Sequence, residues 1–180
     1  MTGQKGIIWI SSYPKSGNTW VRYLLSNYFF SNNKNDLNFE IIDNIPAFNT
    51  EFVFNKKRDE YPKDLNDLFP KWMMFQEKIN FKNGDTIFLK NHNANINIDG
   101  KYFTNENYTK AIIYIVRDPR DVVISGSNFF RKDFDWMVKL ITDKEPKIMY
   151  SKKSPYDATI YGSWKFNYLS WKNNLLNRPT

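Results

Sequence analysis

Cysteine is absent from this 180-residue sequence, and histidine occurs only once. Without thiols the chain forms no disulfides, performs no thiolate chemistry and builds no zinc site on sulfur. A single histidine also excludes a metal centre made of several histidines. The groups that remain for chemistry are one imidazole, hydroxyls, carboxylates and many cations.

Long hydrophobic runs are missing as well. The apolar run at 7–10 is too short for a signal-peptide core or a membrane-spanning helix. The absence of cysteine also fits a reducing compartment. We therefore expect a cytoplasmic protein without a membrane partner.

Acidic residues are fewer than basic ones, with 19 Asp and Glu against 26 Lys and Arg and a net charge of +7. This balance favours an anionic partner, whether nucleic acid, lipid headgroups or a phosphorylated small molecule. The basic residues are spread along the chain, and the clusters Lys56-Lys57-Arg58 and Lys152-Lys153 are interpreted as solvated patches. We expect no nucleic-acid partner.

The length and the hydrophobic pattern predict a single α/β domain over 1–180. Strands are predicted at 7–10, 86–89 and 111–116, and helices at 19–30, 70–81, 119–130, 134–141 and 161–177. Strands separated by helices indicate a mostly parallel sheet. The third strand is apolar throughout, which predicts that both its faces are covered. Residues 31–60 are predicted to be a loop with at most one short element.

Two helices show spacings that favour burial. The helix at 70–81 is predicted to bury Trp72, Met73, Phe75 and Ile79, and the last helix carries one stripe that we interpret as core. The stripe consists of Trp164, Tyr168, Trp171 and Leu175. The helix at 19–30 has Trp20, Tyr23, Leu24, Asn27 and Tyr28 on one side.

Polar residues follow each predicted strand at the point where it ends. Lys15 follows the first strand, Lys90 and His92 the second, and Arg117 the third. Because the carboxyl ends of parallel strands meet at one edge of a sheet, these residues are predicted to share one rim.

The turn after the first strand has the features of a phosphate-binding loop. Gly17 lets the backbone approach closely, the N–H groups that open the next helix can surround an anion, and Lys15 adds positive charge. Ser16 and Thr19 add hydroxyls. The turn differs from the common Gly-x-x-x-x-Gly-Lys-Ser/Thr loop because its lysine precedes the glycine. The alternative is an ordinary strand–turn–helix corner with a surface lysine.

The other two strand ends supply candidate partners for that loop. Arg117 is a candidate bidentate phosphate ligand, although an arginine at a strand end is often only a surface charge. His92 and Lys90 are two residues apart in an extended segment, so both can face one reaction centre, with His92 as a general base. A lone histidine is, however, often structural.

Two aspartates border the third turn. Asp118 is a candidate helix N-cap, with Pro119 at the first helical position. Asp118 and Asp121 could instead be metal-binding carboxylates, but capping and a salt bridge to Arg120 explain them at least as well.

Four segments together resemble the sulfotransferases that use 3′-phosphoadenosine 5′-phosphosulfate (PAPS). The turn at 13–20 resembles the family's Tyr-Pro-Lys-Ser-Gly-Thr-Thr-Trp loop, and 116–125 resembles its 3′-phosphate motif. The segment at 89–92 resembles the Lys-Thr-His that carries the catalytic base, and 161–164 the Gly-Ser-Trp helix. These motifs occur in the family's order across residues 7–174.

The resemblance implies a P-loop-like three-layer fold with a mostly parallel central sheet flanked by helices. It implies sulfuryl transfer from PAPS, without a metal, to a hydroxyl or amine of a small-molecule acceptor, with 3′-phosphoadenosine 5′-phosphate (PAP) as product. Catalytic roles fall to His92 as base, Lys15 and Lys90. The donor-binding residues are Lys15, Ser16, Gly17, Asn18, Thr19, Trp20, Arg117 and Ser125, with Trp20 stacking on adenine. The resemblance implies that variable loops, including 31–60, 93–104 and 131–155, form the acceptor pocket. It does not decide whether the chain forms a homo-oligomer.

The resemblance also has departures. Asn18 and Asn91 stand where the family usually has threonine. The family's later Tyr-Glu-Asp strand and its Arg-Lys-Gly-x-x-Gly-Asp-Trp segment are missing, which predicts a domain that is incomplete at its C-terminus. The missing strand is expected to lie beside the first strand. The alternatives to an active sulfotransferase are a catalytically incomplete PAPS- or PAP-binding remnant and a small P-loop nucleotide kinase.

Overall fold

A computed structural model describes residues 6–32, 39–48, 65–79, 86–98, 100–145, 148–150 and 158–175. The α-helices in these ranges are α1 (Asn18–Phe30), α2 (Leu65–Lys78), α3 (Pro119–Phe130), α4 (Phe134–Thr142) and α5 (Trp164–Leu175). The strands are β1 (Gly6–Ser12), β2 (Thr86–Asn91), β3 (Asn97–Ile98), β4 (Lys101–Tyr102), β5 (Thr109–Ile115), β6 (Ile148–Tyr150) and β7 (Ala158–Ile160). The clusters at 56–58 and 152–153 lie outside the described residues.

The central sheet is parallel, as predicted, and has the order β2-β1-β5. Ile8 pairs with Phe88 of β2 on one side and with Ala111 of β5 on the other. The expectation that a missing strand would lie beside β1 is therefore wrong, because both neighbours of β1 are already in place. The fold is a parallel α/β sheet flanked by helices.

The two outer strands differ from β1 in burial. Six of the seven β1 residues are buried, whereas no β5 residue is, and Val116 just after β5 is more than half exposed. The prediction that both faces of this strand are covered is therefore wrong for the described residues. The apolar pattern cannot tell an outer strand from a central one, because it records the residue types and not the neighbours.

Most predicted helices are confirmed within a few residues. The Asp118 carboxylate accepts a hydrogen bond from the backbone N–H of Arg120, and Pro119 opens α3, so the predicted cap is present. The helix predicted from residue 70 begins five residues earlier and contains Pro70 inside it. The burial of Leu68 and Phe69 offsets the backbone hydrogen bond that proline cannot make. A short 3-10 helix, Glu40–Asn44, is the one described element within 31–60.

The described residues form two apolar clusters, of which only the larger contains residues of the central sheet. The larger cluster surrounds Trp9, whose ring lies 5.2 Å from Phe48, 5.0 Å from Phe103 and 6.4 Å from Trp171. The smaller cluster joins α3 and α4 beneath the turn after β1 and consists of Tyr13, Val122, Val123, Met137 and Ile141.

The predicted faces of the helices are only partly buried. Trp72 is buried, and Phe75 and Ile79 are partly buried against the larger cluster, while Met73 is also half-buried. In the last helix Trp171 is fully buried, but Trp164 and Tyr168 are only partly so. In α1 the five residues predicted to share one side differ in burial. Tyr23 and Asn27 are buried, whereas Trp20, Leu24 and Tyr28 are exposed.

Candidate active site

The turn between β1 and α1 has two residues with positive φ. Lys15 has φ 67° and Gly17 has φ 98°, both in the left-handed region. A lysine rarely adopts this conformation, so the surrounding structure must hold it there. A side-chain carbon placed on Gly17 would meet nothing within 4 Å, so the turn borders open space.

Polar groups with unmet hydrogen-bonding capacity line this turn. Ser16 is 5 % exposed, and its hydroxyl has no hydrogen-bond partner among the described residues. The Asn18 side chain donates to the Ile10 carbonyl at 2.9 Å and to the Ser12 hydroxyl at 3.2 Å, while its Oδ1 is also unpartnered there. The first backbone N–H groups of a helix lack carbonyl partners within it. The Ser16 hydroxyl and these N–H groups therefore offer donors to an anion, whereas Asn18 Oδ1 can only accept.

Arg117 joins the end of β5 to this turn. Its Nη1 donates to the Lys15 carbonyl at 3.1 Å, and its Nε lies 3.7 Å from the Asp121 carboxylate. The bond to the carbonyl helps to hold Lys15 in its unusual conformation. A guanidinium has five donors, so Arg117 keeps further N–H groups for a ligand.

The two aspartates beside Arg117 have partners of their own. Asp118 caps α3, and its carboxylate pairs with the Arg120 guanidinium at 2.6 Å. The side-chain hydrogen bond from Arg120 lowers the pKa of Asp118 to about 2. Within the described ranges, no three residues among His, Cys, Asp and Glu come together as a metal site would need.

The side chain of Lys15 lies against an aromatic ring. Its Nζ is 4.0 Å from the centroid of Phe129, near the end of α3. This distance is that of a cation–π interaction. Phe129 is 64 % exposed, so the ring contributes a wall beside the turn more than it contributes to the core.

His92 follows β2 and contacts the end of β1. Its Nδ1 lies 2.9 Å from the Ser12 carbonyl and 3.2 Å from the Ser12 hydroxyl. Because a carbonyl only accepts, the geometry assigns the proton to Nδ1. Nε2 is then the unprotonated nitrogen of the ring, the atom that a general base needs.

The surroundings of His92 keep it neutral. Burial and, to a lesser extent, the charge of Lys90 lower the pKa of His92 to about 3, with smaller effects from Arg22 and Lys15. The hydrogen bond to the Ser12 carbonyl acts in the opposite direction. An anionic ligand among these cations would raise the pKa of His92 towards its ordinary value.

A hydrogen-bonded network of buried asparagines adjoins His92, and the sequence-based prediction did not include it. Asn91 Oδ1 accepts from the backbone N–H and the side chain of Asn93, at 2.9 and 2.8 Å. Asn93 Oδ1 accepts from the Ile160 N–H at 2.8 Å, and the Trp171 indole donates to the Asn93 carbonyl at 2.8 Å. Asn167 Nδ2 donates to the His92 carbonyl at 3.1 Å. The asparagines carry no periodic signal, and only Asn91 and Asn93 could have been indicated, by their position at the end of β2.

The structure brings some of the predicted site residues together, whereas others are exposed or make no described hydrogen bond to the turn. Lys15, His92 and Arg117 are linked through the end of β1 by the contacts described above. Thr19 and Trp20 are exposed in the first turn of α1, where Trp20 is 66 % exposed. Ser125 is half-buried on α3, and among the described residues no hydrogen bond joins it to the turn.

The family comparison covers nearly the whole chain. The family model described as "Sulfotransferase domain" matches residues 5–178, a range that contains the turn after β1, His92 and Arg117. A search of curated proteins found no match. None of the described helices is long and apolar enough to cross a membrane. The chain belongs to the sulfotransferase domain family.

Proposed function

We propose that this chain binds PAPS and transfers its sulfuryl group to a hydroxyl or amine of a small-molecule acceptor. One observation carries the proposal: His92 bonds to Ser12, the last residue of β1, and the turn that begins at the next residue presents Lys15 and Ser16. A candidate base and a candidate phosphate site therefore adjoin at one strand end.

The residues of the turn fit the donor. Ser16 has a buried hydroxyl that finds no partner in the described part of the chain, and a ligand with phosphate oxygens would satisfy it. Gly17 borders open space, and Arg117 retains free donors for a second phosphate. We assign the 5′-phosphosulfate to Lys15, Ser16, Gly17, Asn18 and Thr19. The 3′-phosphate is assigned to Arg117 and Ser125, and the adenine to Trp20.

The chemistry then divides among few groups. When bound, PAPS supplies the sulfuryl group and a phosphate leaving group. Lys15 and Lys90 provide positive charge where negative charge develops. His92 Nε2 takes the proton of the acceptor hydroxyl or amine. The imidazole of His92 is neutral near pH 7, so Nε2 is able to accept a proton. The hydrogen bond from Nδ1 to the Ser12 carbonyl leaves Nε2 as the nitrogen that accepts it.

Calorimetric titration with PAP, with ADP as control, tests the donor site. We expect PAP to bind selectively and Lys15→Ala to weaken PAP binding about 10–100-fold, since hydrogen bonds to charged groups contribute about 1.5–3 kcal/mol. Equal binding of ADP and PAP by the folded protein would refute the assignment of the 3′-phosphate. Preference for ATP with Mg²⁺ would support a nucleotide kinase instead.

Turnover separates an enzyme from a binding protein. With PAPS and a panel of hydroxylated and amine acceptors, His92→Ala is expected to abolish transfer and to leave PAP binding nearly unchanged. Selective PAP binding by the unaltered chain without transfer to any acceptor would favour the remnant. Loss of both binding and transfer in His92→Ala would assign His92 a structural role.

A further inference from the structure

Asn167 of α5 is fully buried, and its side-chain amide is bonded at both ends. Its Nδ2 donates to the His92 carbonyl at 3.1 Å and to the Tyr161 carbonyl at 3.2 Å. Its Oδ1 accepts from the Tyr114 hydroxyl at 2.7 Å. Both amide hydrogens and the amide oxygen are therefore used.

The orientation of this amide is determined by its partners. The two carbonyls can only accept, so they require Nδ2 on their side, and Oδ1 must then face Tyr114. Burial raises the pKa of Tyr114 above its usual value, so its hydroxyl keeps the proton that it donates. A flipped amide would leave two buried carbonyls facing an oxygen, which is unfavourable.

The three partners belong to the elements that carry the candidate site. His92 follows β2, Tyr114 lies in β5 three residues before Arg117, and Tyr161 precedes α5. On its other side, the imidazole of His92 is bonded to Ser12 at the end of β1. His92 is thus held through its main chain by α5 and through its ring by β1.

We propose that Asn167 is a positioning residue for His92, which holds the His92 main chain so that Nδ1 stays on the Ser12 carbonyl and Nε2 remains the unprotonated nitrogen. Asn167 acts through His92 and does not touch the reacting atoms. The importance of this role for turnover rests on the proposed function, in which His92 is the base. The positioning itself can be measured without a donor or an acceptor.

The test uses the fact that His92 is the only histidine in the chain. In the ¹⁵N-labelled full chain, the two ring nitrogens give one pair of signals, which report the tautomer directly. The wild type is expected to show protonated Nδ1 and unprotonated Nε2 near pH 7. Tyr114→Phe removes one of the three hydrogen bonds of the Asn167 side chain with little change in volume, and Asn167→Ala removes all three.

Both variants are expected to shift the signals towards a mixture of the two tautomers, Asn167→Ala more than Tyr114→Phe. If the proposed function also holds, kcat falls by up to about 100-fold, since a small misplacement of a catalytic group has effects of this size, while PAP affinity is retained. The control is Gln76→Ala. Gln76 is another buried amide, bonded to the Phe103 carbonyl at 2.7 Å and to the Thr104 hydroxyl at 2.5 Å.

A folded Asn167→Ala protein with wild-type imidazole signals would overturn the proposal, and so would Gln76→Ala shifting the signals equally. Should Asn167→Ala fail to fold, Tyr114→Phe decides by the same criterion. Failure of the wild type to bind PAP would refute the proposed function alone, because the tautomer is read without a ligand.

Discussion

The two sides of the candidate site differ in how completely their polar groups are bonded. On the base side, which consists of residues 91–93 with Asn167 and Trp171, the amides of Asn91, Asn93 and Asn167 all have partners. On the donor side, which consists of residues 13–20 with Arg117 and Phe129, Ser16 Oγ and Asn18 Oδ1 have none among the described residues.

Under the proposed function, this difference suits the two sides to different tasks. A bonded and buried network fixes its members in one geometry, which suits a base that must meet a proton at a defined place. A buried hydroxyl without a partner in the described ranges, such as that of Ser16, is costly and gains an acceptor when a phosphate binds, whereas Asn18 Oδ1 accepts and gains nothing from a phosphate. The base side is therefore preorganised, and the donor side retains interactions for its ligand.

The largest expected effect is on the base side. Trp171 is fully buried against Trp9 and Phe103 and donates to the Asn93 carbonyl. Trp171→Ala is expected to lower the free energy of unfolding by about 3–5 kcal/mol, as for other large buried aromatics. Denaturant titration measures it. The control is Trp20→Ala on the donor side, for which a change within about 0.5 kcal/mol is expected. Equal losses of unfolding free energy in Trp171→Ala and Trp20→Ala would contradict the difference between the base side and the donor side.

The second effect is a pH dependence of the free energy of unfolding, which comes from His92 on the base side. His92 has a pKa of about 3 when folded and about 6.5 when unfolded. Between these values the unfolded chain binds the additional proton. Stability that is present above pH 6.5 is therefore lost as the pH falls towards 3, by up to about 1.4 kcal/mol per pH unit.

His92→Gln isolates this contribution, because other groups titrate in the same window. We expect the difference in unfolding free energy between wild type and His92→Gln to shrink steadily as the pH falls. A difference that is constant with pH would mean that the imidazole titrates normally in the folded protein. Saturating PAP is expected to make this pH-dependent loss of stability smaller, because an anion raises the folded pKa of His92 towards its unfolded value.

The third effect is on the donor side and concerns affinity. Trp20 is 66 % exposed, and a base that stacks on an aromatic ring gains about 1–3 kcal/mol. Trp20→Ala is therefore expected to weaken PAP binding about 5–150-fold, as measured by calorimetry. Tyr28→Ala is the matched control, since Tyr28 is 69 % exposed two turns further along α1. Equal effects of the two changes would remove Trp20 from the adenine site.

The two sides also differed in how far the sequence predicted them. The donor turn is contiguous, so Lys15, Gly17 and the start of α1 stand together in the chain and produce a local motif. The cap at Asp118 is local in the same way. Local motifs report local geometry, and these elements are confirmed within one or two residues.

The base side depends on contacts between distant residues. His92 bonds to Ser12 across 80 positions and to Asn167 across 75. His92 and the rim were predicted because parallel strand ends converge, but an asparagine has no pattern that names its partner. The outer position of β5 was missed for a related reason, since an apolar run does not show which strand lies beside it.

The smallest effect lies within the donor side, where the bond of Lys15 to Phe129 competes with a ligand. A cation–π interaction at an exposed ring contributes about 0.5–1 kcal/mol. If Lys15 leaves the ring to meet the donor, Phe129→Leu removes a cost of binding and tightens PAP affinity about 2–5-fold. The control is Phe134→Leu, a ring 59 % exposed on α4, which is expected to leave the affinity unchanged. Weaker binding in Phe129→Leu would instead mean that the ring holds Lys15 where the phosphate needs it, and the donor side would then be more preorganised than its unpartnered groups indicate.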